Sequence, residues 1–446
     1  MRRGFEFDAG LCVACSACSA ACTLENGFQQ GIRNIYSWNS EGLPLLRVIN
    51  LSLACNHCEK PACLEGCPAK AYTVDGTGAV IHHQERCMGC GYCTWRCPYD
   101  APKINEAKGF IEKCHLCMGR AAEDIEPACV TSCPTGALRM TELDDFPAAG
   151  TDWFPDTGIK PSVKLIGIKE MSGPAIFPSV EETGEEEYRL PVPETKLKSE
   201  WSLLIFSLLV IAASALFIAT AISDTGLPSI LPAIMLTGAL FISFAHLGVP
   251  ARAWRAVFNV ISSPLSRELI MLILLTVLAY MKWLRPGMLH PFVPAVAALA
   301  TLISVDLVYF AADRSAALKL HSGQAFFSGT FIATWFIFPE TVFLVFSLLA
   351  ATSVITRYKS AEKGGLIQSL YYFRALSIPL VFLLLYPGSD FTTAIAEIVF
   401  LAGIAADRAL FFDDFNPVNI KQTISEHFYH QYEKERDKQR EDTGIS

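Results

Sequence analysis

Sixteen cysteines, all between Cys12 and Cys133, constrain this 446-residue chain more than any other feature. They fall into four groups of four: Cys12, Cys15, Cys18, Cys22; Cys55, Cys58, Cys63, Cys67; Cys87, Cys90, Cys93, Cys97; and Cys114, Cys117, Cys129, Cys133. Pro68, Pro98 and Pro134 directly follow the last member of the second, third and fourth groups. The third group has the C-x2-C-x2-C-x3-C-P spacing that holds [4Fe–4S] clusters. Three cysteines two residues apart let one tight loop wrap three corners of a cubane. The fourth travels onward with the chain and reaches the neighbouring cluster. The proline after it turns the backbone away and offers no N–H. Four-cysteine zinc sites also use C-x2-C pairs, but they do not demand this third and fourth cysteine before proline. A disulfide scaffold belongs to small secreted chains. Arg2-Arg3 is followed by Gly4-Phe5-Glu6-Phe7-Asp8 instead of an apolar run, so the pair does not read as an export signal.

The crossed rule pairs the second group with the third and the first with the fourth. It predicts four [4Fe–4S] clusters: Cys12, Cys15, Cys18 with Cys133; Cys55, Cys58, Cys63 with Cys97; Cys87, Cys90, Cys93 with Cys67; and Cys114, Cys117, Cys129 with Cys22. Short strand-like pieces, Leu45–Ile49 and Gly78–Ile81, lie between the groups with turn-forming runs such as Asp75-Gly76-Thr77-Gly78. Residues 1–145 therefore read as an α+β, ferredoxin-like four-cluster domain. A row of four redox centres suits conduction between distant partners better than local chemistry.

The rest of the chain differs in kind. Its apolar content is 52 % and its charged content 18 %, and the long apolar runs all lie between Trp201 and Phe412. Residues 146–198, rich in Pro and Gly and carrying the acidic run Glu181–Glu187, read as a linker or strap. Apolar runs near the length of a membrane crossing, about 20 residues, lie at 201–222, 229–248, 268–284, 292–312, 371–387 and 391–412. The stretch 316–358 is apolar from Phe326 to Ile355 and interrupted by Pro339-Glu340, so it is one kinked span or two short ones. Residues 199–412 thus read as an all-α polytopic membrane bundle of about seven or eight helices. The tail 413–446 is polar, with a charged surface helix over Ser425–Arg440. With two spans in 316–358, loops on the N-terminal side hold Arg252, Arg255, Arg267, Arg314, Lys319, Arg357, Lys359 and Lys363, against Lys282 and Arg285 opposite. With one span the tally is five against five. The positive-inside rule favours eight spans and a cytoplasmic N-terminal half. The net charge of −8 argues against a nucleic-acid partner. No histidine pattern in the spans suggests haem, which wants axial ligands on facing helices.

Asn56-His57-Cys58-Glu59-Lys60-Pro61-Ala62-Cys63, Met88-Gly89-Cys90-Gly91-Tyr92-Cys93 and Lys113-Cys114-His115-Leu116-Cys117 resemble the iron–sulfur subunits of the dimethyl sulfoxide reductase family. That family includes the polysulfide, thiosulfate, tetrathionate and formate-dependent nitrite systems. The resemblance covers residues 1 to about 170. More diffusely, His246–Ala253, Asn259 and Ser266-Arg267-Glu268 resemble the family's membrane anchor, and Asp407–Phe412 is similar to the end of its last helix. Ile404 stands where that anchor has an acid four residues before the arginine.

The resemblance implies two usually separate subunits fused in one chain of the cell (inner) membrane, working with membrane lipid and the quinone pool. Menaquinol would be oxidised in the membrane, and electrons would pass through four clusters to a molybdopterin-type catalytic subunit on another chain. The alternative is the reverse current, from a dehydrogenase partner to quinone. Many of the family's catalytic partners are exported, which leaves a periplasmic orientation open. Ionisable groups inside spans are functional candidates. His246, Arg252, Glu268 and Asp306 fall towards one membrane face by alternation of spans, and acids or histidines there could take up quinol protons. Structural alternatives stay open: Asp306 as the partner of an arginine inside the bundle, and His246 as an interfacial polar residue.

Overall fold

The computed structural model describes residues 2–28, 31–38, 48–143, 154, 157–166, 200–223, 226–312, 321, 323–337, 351, 354, 365–385, 390–415, 417, 419–425, 427 and 430. The chain divides into two units, Met1–Pro193 with Val418–Ser446, and Glu194–Pro417.

In the first unit, strand β1 (Arg2–Asp8) places Phe5 and Phe7 on one buried face by the two-residue period of a strand. It is the centre of a three-stranded sheet, antiparallel to β8 (Leu138–Leu143) and parallel to β9 (Val163–Ile166). Phe5 faces Met140 on one side and Val163 on the other. Gly4 permits the close approach of the β9 segment, because a Cβ there would lie 2.5 Å from the Ser162 carbonyl oxygen. Strand β9 falls within the stretch that composition marks as a linker. The acidic run 181–187 lies outside the described residues.

Three antiparallel hairpins carry the chain from each cysteine group to the next. They are β2 (Asn34–Trp38) with β3 (Ile49–Leu53), β4 (Tyr72–Val74) with β5 (Val80–His82), and β6 (Lys103–Asn105) with β7 (Phe110–Glu112). Asp75 ties the β4–β5 turn, its Oδ1 accepting the Thr77 and Ala79 N–H groups at 2.8 and 2.9 Å. Short helices follow the cysteine loops: α1 (Ala17–Asn26), α2 (Ala62–Gly66), α3 (Tyr92–Arg96), α4 (Met118–Ala122) and α5 (Ala128–Thr131). Helix α1 packs on α5, and α2 on α3. The chain's C-terminal segment belongs to this unit as well. Ile420 and Ile424 are fully buried in its apolar core, Ile420 donates its N–H to Pro98 O at 2.7 Å, and Trp38 Nε1 donates to Ser425 Oγ at 3.0 Å.

The second unit is helical: α6 (Trp201–Ile222), α7 (Leu231–Ile242), α8 (Pro264–Leu284), α9 (Phe292–Phe310), α10 (Ala325–Ile337), α11 (Gly365–Leu385) and α12 (Asp390–Asp414). Among the described residues α6, α8, α9 and α11 are long and apolar enough to cross a membrane. Helix α12 has the length but carries Asp390, Glu397, Asp407, Arg408, Asp413 and Asp414. Helix α7 ends at Ile242, earlier than the apolar run to residue 248 suggests. The chain leaves the helix through a turn and continues as a 3₁₀ segment, Pro250–Val257, so His246 and Arg252 lie outside the helix. Pro339-Glu340 and the stretches 313–320 and 355–364, which bear on the span count, are outside the described residues.

Candidate functional site

Each cysteine group places its third member (Cys18, Cys63, Cys93 or Cys129) on a short helix. In the last three groups the fourth follows that helix, and its N–H caps it: Cys67 to Leu64 O, Cys97 to Cys93 O and Cys133 to Val130 O. Between the earlier cysteines the backbone enters the left-handed region, at Ala14, Ser16, His57, Gly89, Gly91 and Leu116. Glycine adopts that conformation freely. The other residues are strained, and strain of this kind gathers at functional sites. The winding turns amides towards sulfur: Gly89 N–H meets Cys87 Sγ and Leu116 N–H meets Cys114 Sγ, both at 3.4 Å.

Two cavities show how the cysteines converge. One, of about 310 Å³ counting the space open to solvent, is lined by Cys12, Cys15, Cys18 and Cys133. The other, of about 340 Å³ on the same count, is lined by Cys55, Cys58, Cys63 and Cys97. In each, three cysteines come from one group and one from another. Two further sets lie together: Cys90 and Cys93 with Cys67 and Cys87, and Cys22 with Cys117 and Cys129. The sets also abut one another. Cys18 is beside Cys22, Cys114 is beside Cys55, and Tyr72 lies by Cys63, Cys67 and Cys93.

This donor set fits an iron–sulfur cluster. Zinc on four sulfurs would draw them to one point at about 2.3 Å, whereas two of these sets line cavities. Among the described residues no three His, Cys, Asp or Glu side chains converge as a single ion requires. Burial pushes the Cys90 and Cys97 thiols up to about 12 and the Cys22 thiol to about 11. Thiols held so high keep their protons near neutral pH until a metal displaces them.

Polar residues to which the sequence alone assigned no role line these sets. Arg33 and Lys113 are 2 % and 4 % exposed. His57 is buried, with Nδ1 accepting the Val80 N–H at 3.0 Å and Nε2 lacking a partner; burial holds its pKa well below the usual histidine range. The signal for His57 and Lys113 was adjacency, since each directly precedes a cysteine. Nothing around Arg33 marked it.

In the helical unit, Asp306 and Glu268 are buried together around Arg408. The two Asp306 oxygens accept the Ala325 and Phe326 N–H groups at 2.8 and 2.9 Å, and Oδ1 lies 3.7 Å from Arg408 Nη1. Arg408 Nη1 also donates to Gly323 O at 3.0 Å and Nε to Ser207 Oγ at 3.1 Å, while among the described residues Nη2 is buried without a partner. Its guanidinium lies over Phe411, 4.3 Å from the ring centre. Asp306 is thus paired with an arginine inside the bundle. His246 is half-buried with Nδ1 lacking a partner, and among the described residues no hydrogen bond or ion pair joins it to Glu268 or Asp306. Arg252 is half-buried in the 3₁₀ segment.

Residues 46–143 match the family model of a 4Fe-4S dicluster domain. Over 153 residues the protein is 37 % identical to a component of the anaerobic dimethyl sulfoxide reductase of Escherichia coli (strain K12), covering 32 % of this protein and 75 % of that one. It is 37 % identical over 148 residues to a tetrathionate reductase subunit of Salmonella typhimurium, covering 32 % and 59 %. It is 34 % identical over 152 residues to the formate dehydrogenase-O iron-sulfur subunit of Escherichia coli, covering 30 % and 51 %.

Proposed function

The chain belongs, over its N-terminal third, to the iron–sulfur subunit family that includes the matched dimethyl sulfoxide reductase component, and from that premise we propose that it is a membrane-bound electron-transfer subunit. It carries electrons between the quinone pool and a molybdopterin-type catalytic subunit. The observation that carries the reading is the presence, in one chain, of cysteine sets that abut in a row and of helices long and apolar enough to cross a membrane. Clusters in those sets supply one-electron steps. Four of them, ligated in the crossed manner, account for all sixteen cysteines. The cytoplasmic side is proposed for the cluster-bearing half from the distribution of loop cations.

Quinol oxidation releases two protons with its two electrons, so the site needs groups that accept them. Glu268 is the proposed first acceptor. Arg408 Nη2, which has no hydrogen-bond partner among the described residues, would hold the quinol oxygen and stabilise the charge that develops on it. Asp306 orients that arginine. His246 and Arg252 are proposed to serve the second proton and the approach of the headgroup. The reverse current is the second reading, favoured by likeness to the formate dehydrogenase-O iron-sulfur subunit.

We expect Glu268→Gln in membranes to slow reduction of the clusters by a menaquinol analogue by about 100-fold or more, the range for loss of a general base. Reduction by dithionite should be unchanged. A normal quinol rate in this variant would remove Glu268 from the site.

A further inference from the structure

Arg33 and Lys113 are buried cations, and among the described residues neither forms an ion pair with a carboxylate. A lone cation so far from water is costly unless an anion lies beside it. Their surroundings name that anion. Arg33 Nη1 donates to Ser52 O and Oγ at 3.4 and 3.1 Å, and Ser52 Oγ is 3.3 Å from Cys18 Sγ. The guanidinium also reaches Cys129, and it stands 4.5 Å from the Phe5 ring centre. Cys18, Cys22, Cys114 and Cys129, drawn from two abutting sets, surround it. Lys113 Nζ donates to Val80 O at 2.6 Å and Cys114 O at 2.7 Å, and its side chain lines the cavity of Cys55, Cys58, Cys63 and Cys97. It too lies between two sets, that cavity's and the set holding Cys114.

We propose that Arg33 and Lys113 are built-in counter-charges of the cluster row, each placed at a junction between two clusters and raising the reduction potential of both. The proposal rests on the reading that clusters fill the four cysteine sets. A cube held by four thiolates is a net anion, and reduction adds one further negative charge. A fixed cation nearby therefore favours the reduced state, and low local dielectric strengthens the effect. The set of Cys22, Cys114, Cys117 and Cys129 meets both cations, and the sets to either side of it meet one each. At the third junction the buried Tyr72, with its neutral hydroxyl, stands beside Cys63, Cys67 and Cys93. Both residues act on potential through the clusters.

The test is a potentiometric titration of the full-length protein in detergent, followed by electron paramagnetic resonance, with iron and sulfide counted on each sample. Wild type should hold about sixteen of each, four per cube; a much lower count would refute the cluster reading itself. In Arg33→Gln two of the four midpoint potentials should fall, and in Lys113→Met two should fall, with one cluster common to both variants. One cluster, that of Cys87, Cys90 and Cys93, should move in neither. Each fall should reach a tenfold change in the reduced-to-oxidised ratio at fixed potential, which is 59 mV for a one-electron couple. Arg33→Lys and Lys113→Arg should keep wild-type potentials. Loss of iron from the neutral variants alone, with full loading of the charge-retaining ones, would equally support the assignment. Unchanged potentials in loaded neutral variants, or equal iron loss from the charge-retaining ones, would overturn it.

Discussion

Cys97 closes helix α3, yet it lines the cavity ringed by Cys55, Cys58 and Cys63 from the preceding group. Cys97→Ser should therefore lower the iron content by about one quarter, the share of one cube in four. The cluster headed by Cys87 should remain visible by electron paramagnetic resonance. Loss of the Cys87 signal, with the other retained, would refute the crossed ligation. The cysteines were legible because cubane ligation is a local code, written in spacings of two and three residues. Arg33 was not, since its place among four cysteines follows from the β2–β3 hairpin and from the packing of α1 on α5. Asp306 was noticed as an acid in an apolar run, but its partner Arg408 lies 102 positions further on, where no local pattern could join them.

Helix α12 meets the turn before α10 at close range. A methyl added to Gly323 would lie 2.4 Å from Asp407 O and 2.9 Å from Asp407 C. Backbone cannot give way there as a flexible side chain would, and the same glycine's carbonyl receives Arg408 Nη1. Gly323→Ala should destabilise the helical unit by about 1–3 kcal/mol, read as a lower thermal midpoint in detergent. An unchanged midpoint would mean that α12 and this turn separate without cost. Helix positions were broadly legible because apolar run length follows from the thickness of a membrane. Helix ends were less so. Hydropathy continues through Ser243-Phe244-Ala245 although the regular helix stops at Ile242, and it does not register the 3₁₀ turn that Pro250 begins. Strand β9 escaped notice for the opposite reason: four residues amid Pro and Gly carry too little pattern, and only pairing with β1 makes them a strand.

At the scale of the molecule, the division between a cysteine-rich part and an apolar part could be read from composition, but the return of the C-terminal segment could not. Residues 413–446 read as a polar tail, yet Ile420 and Ile424 are fully buried in the first unit. Lys421 pairs with Asp100 at 3.0 Å and stands over the Tyr36 ring at 4.2 Å. Two buried isoleucines are worth roughly 3–6 kcal/mol. Ending the full chain at Pro417 should therefore lower the thermal midpoint of the iron-loaded first unit and speed its loss of iron to a chelator. Wild-type retention of iron would show that the segment only decorates the surface. The docked segment also sets an order of events during synthesis. The cysteine-bearing residues leave the ribosome early, but the isoleucines that complete their core follow the described helices of the second unit. At roughly 5–20 residues per second, the young cluster unit waits tens of seconds with that part of its core open. Its core is completed only once Ile420 and Ile424 are made, so a ribosome that stalls within the apolar half leaves behind a product whose cluster unit lacks that part of its core.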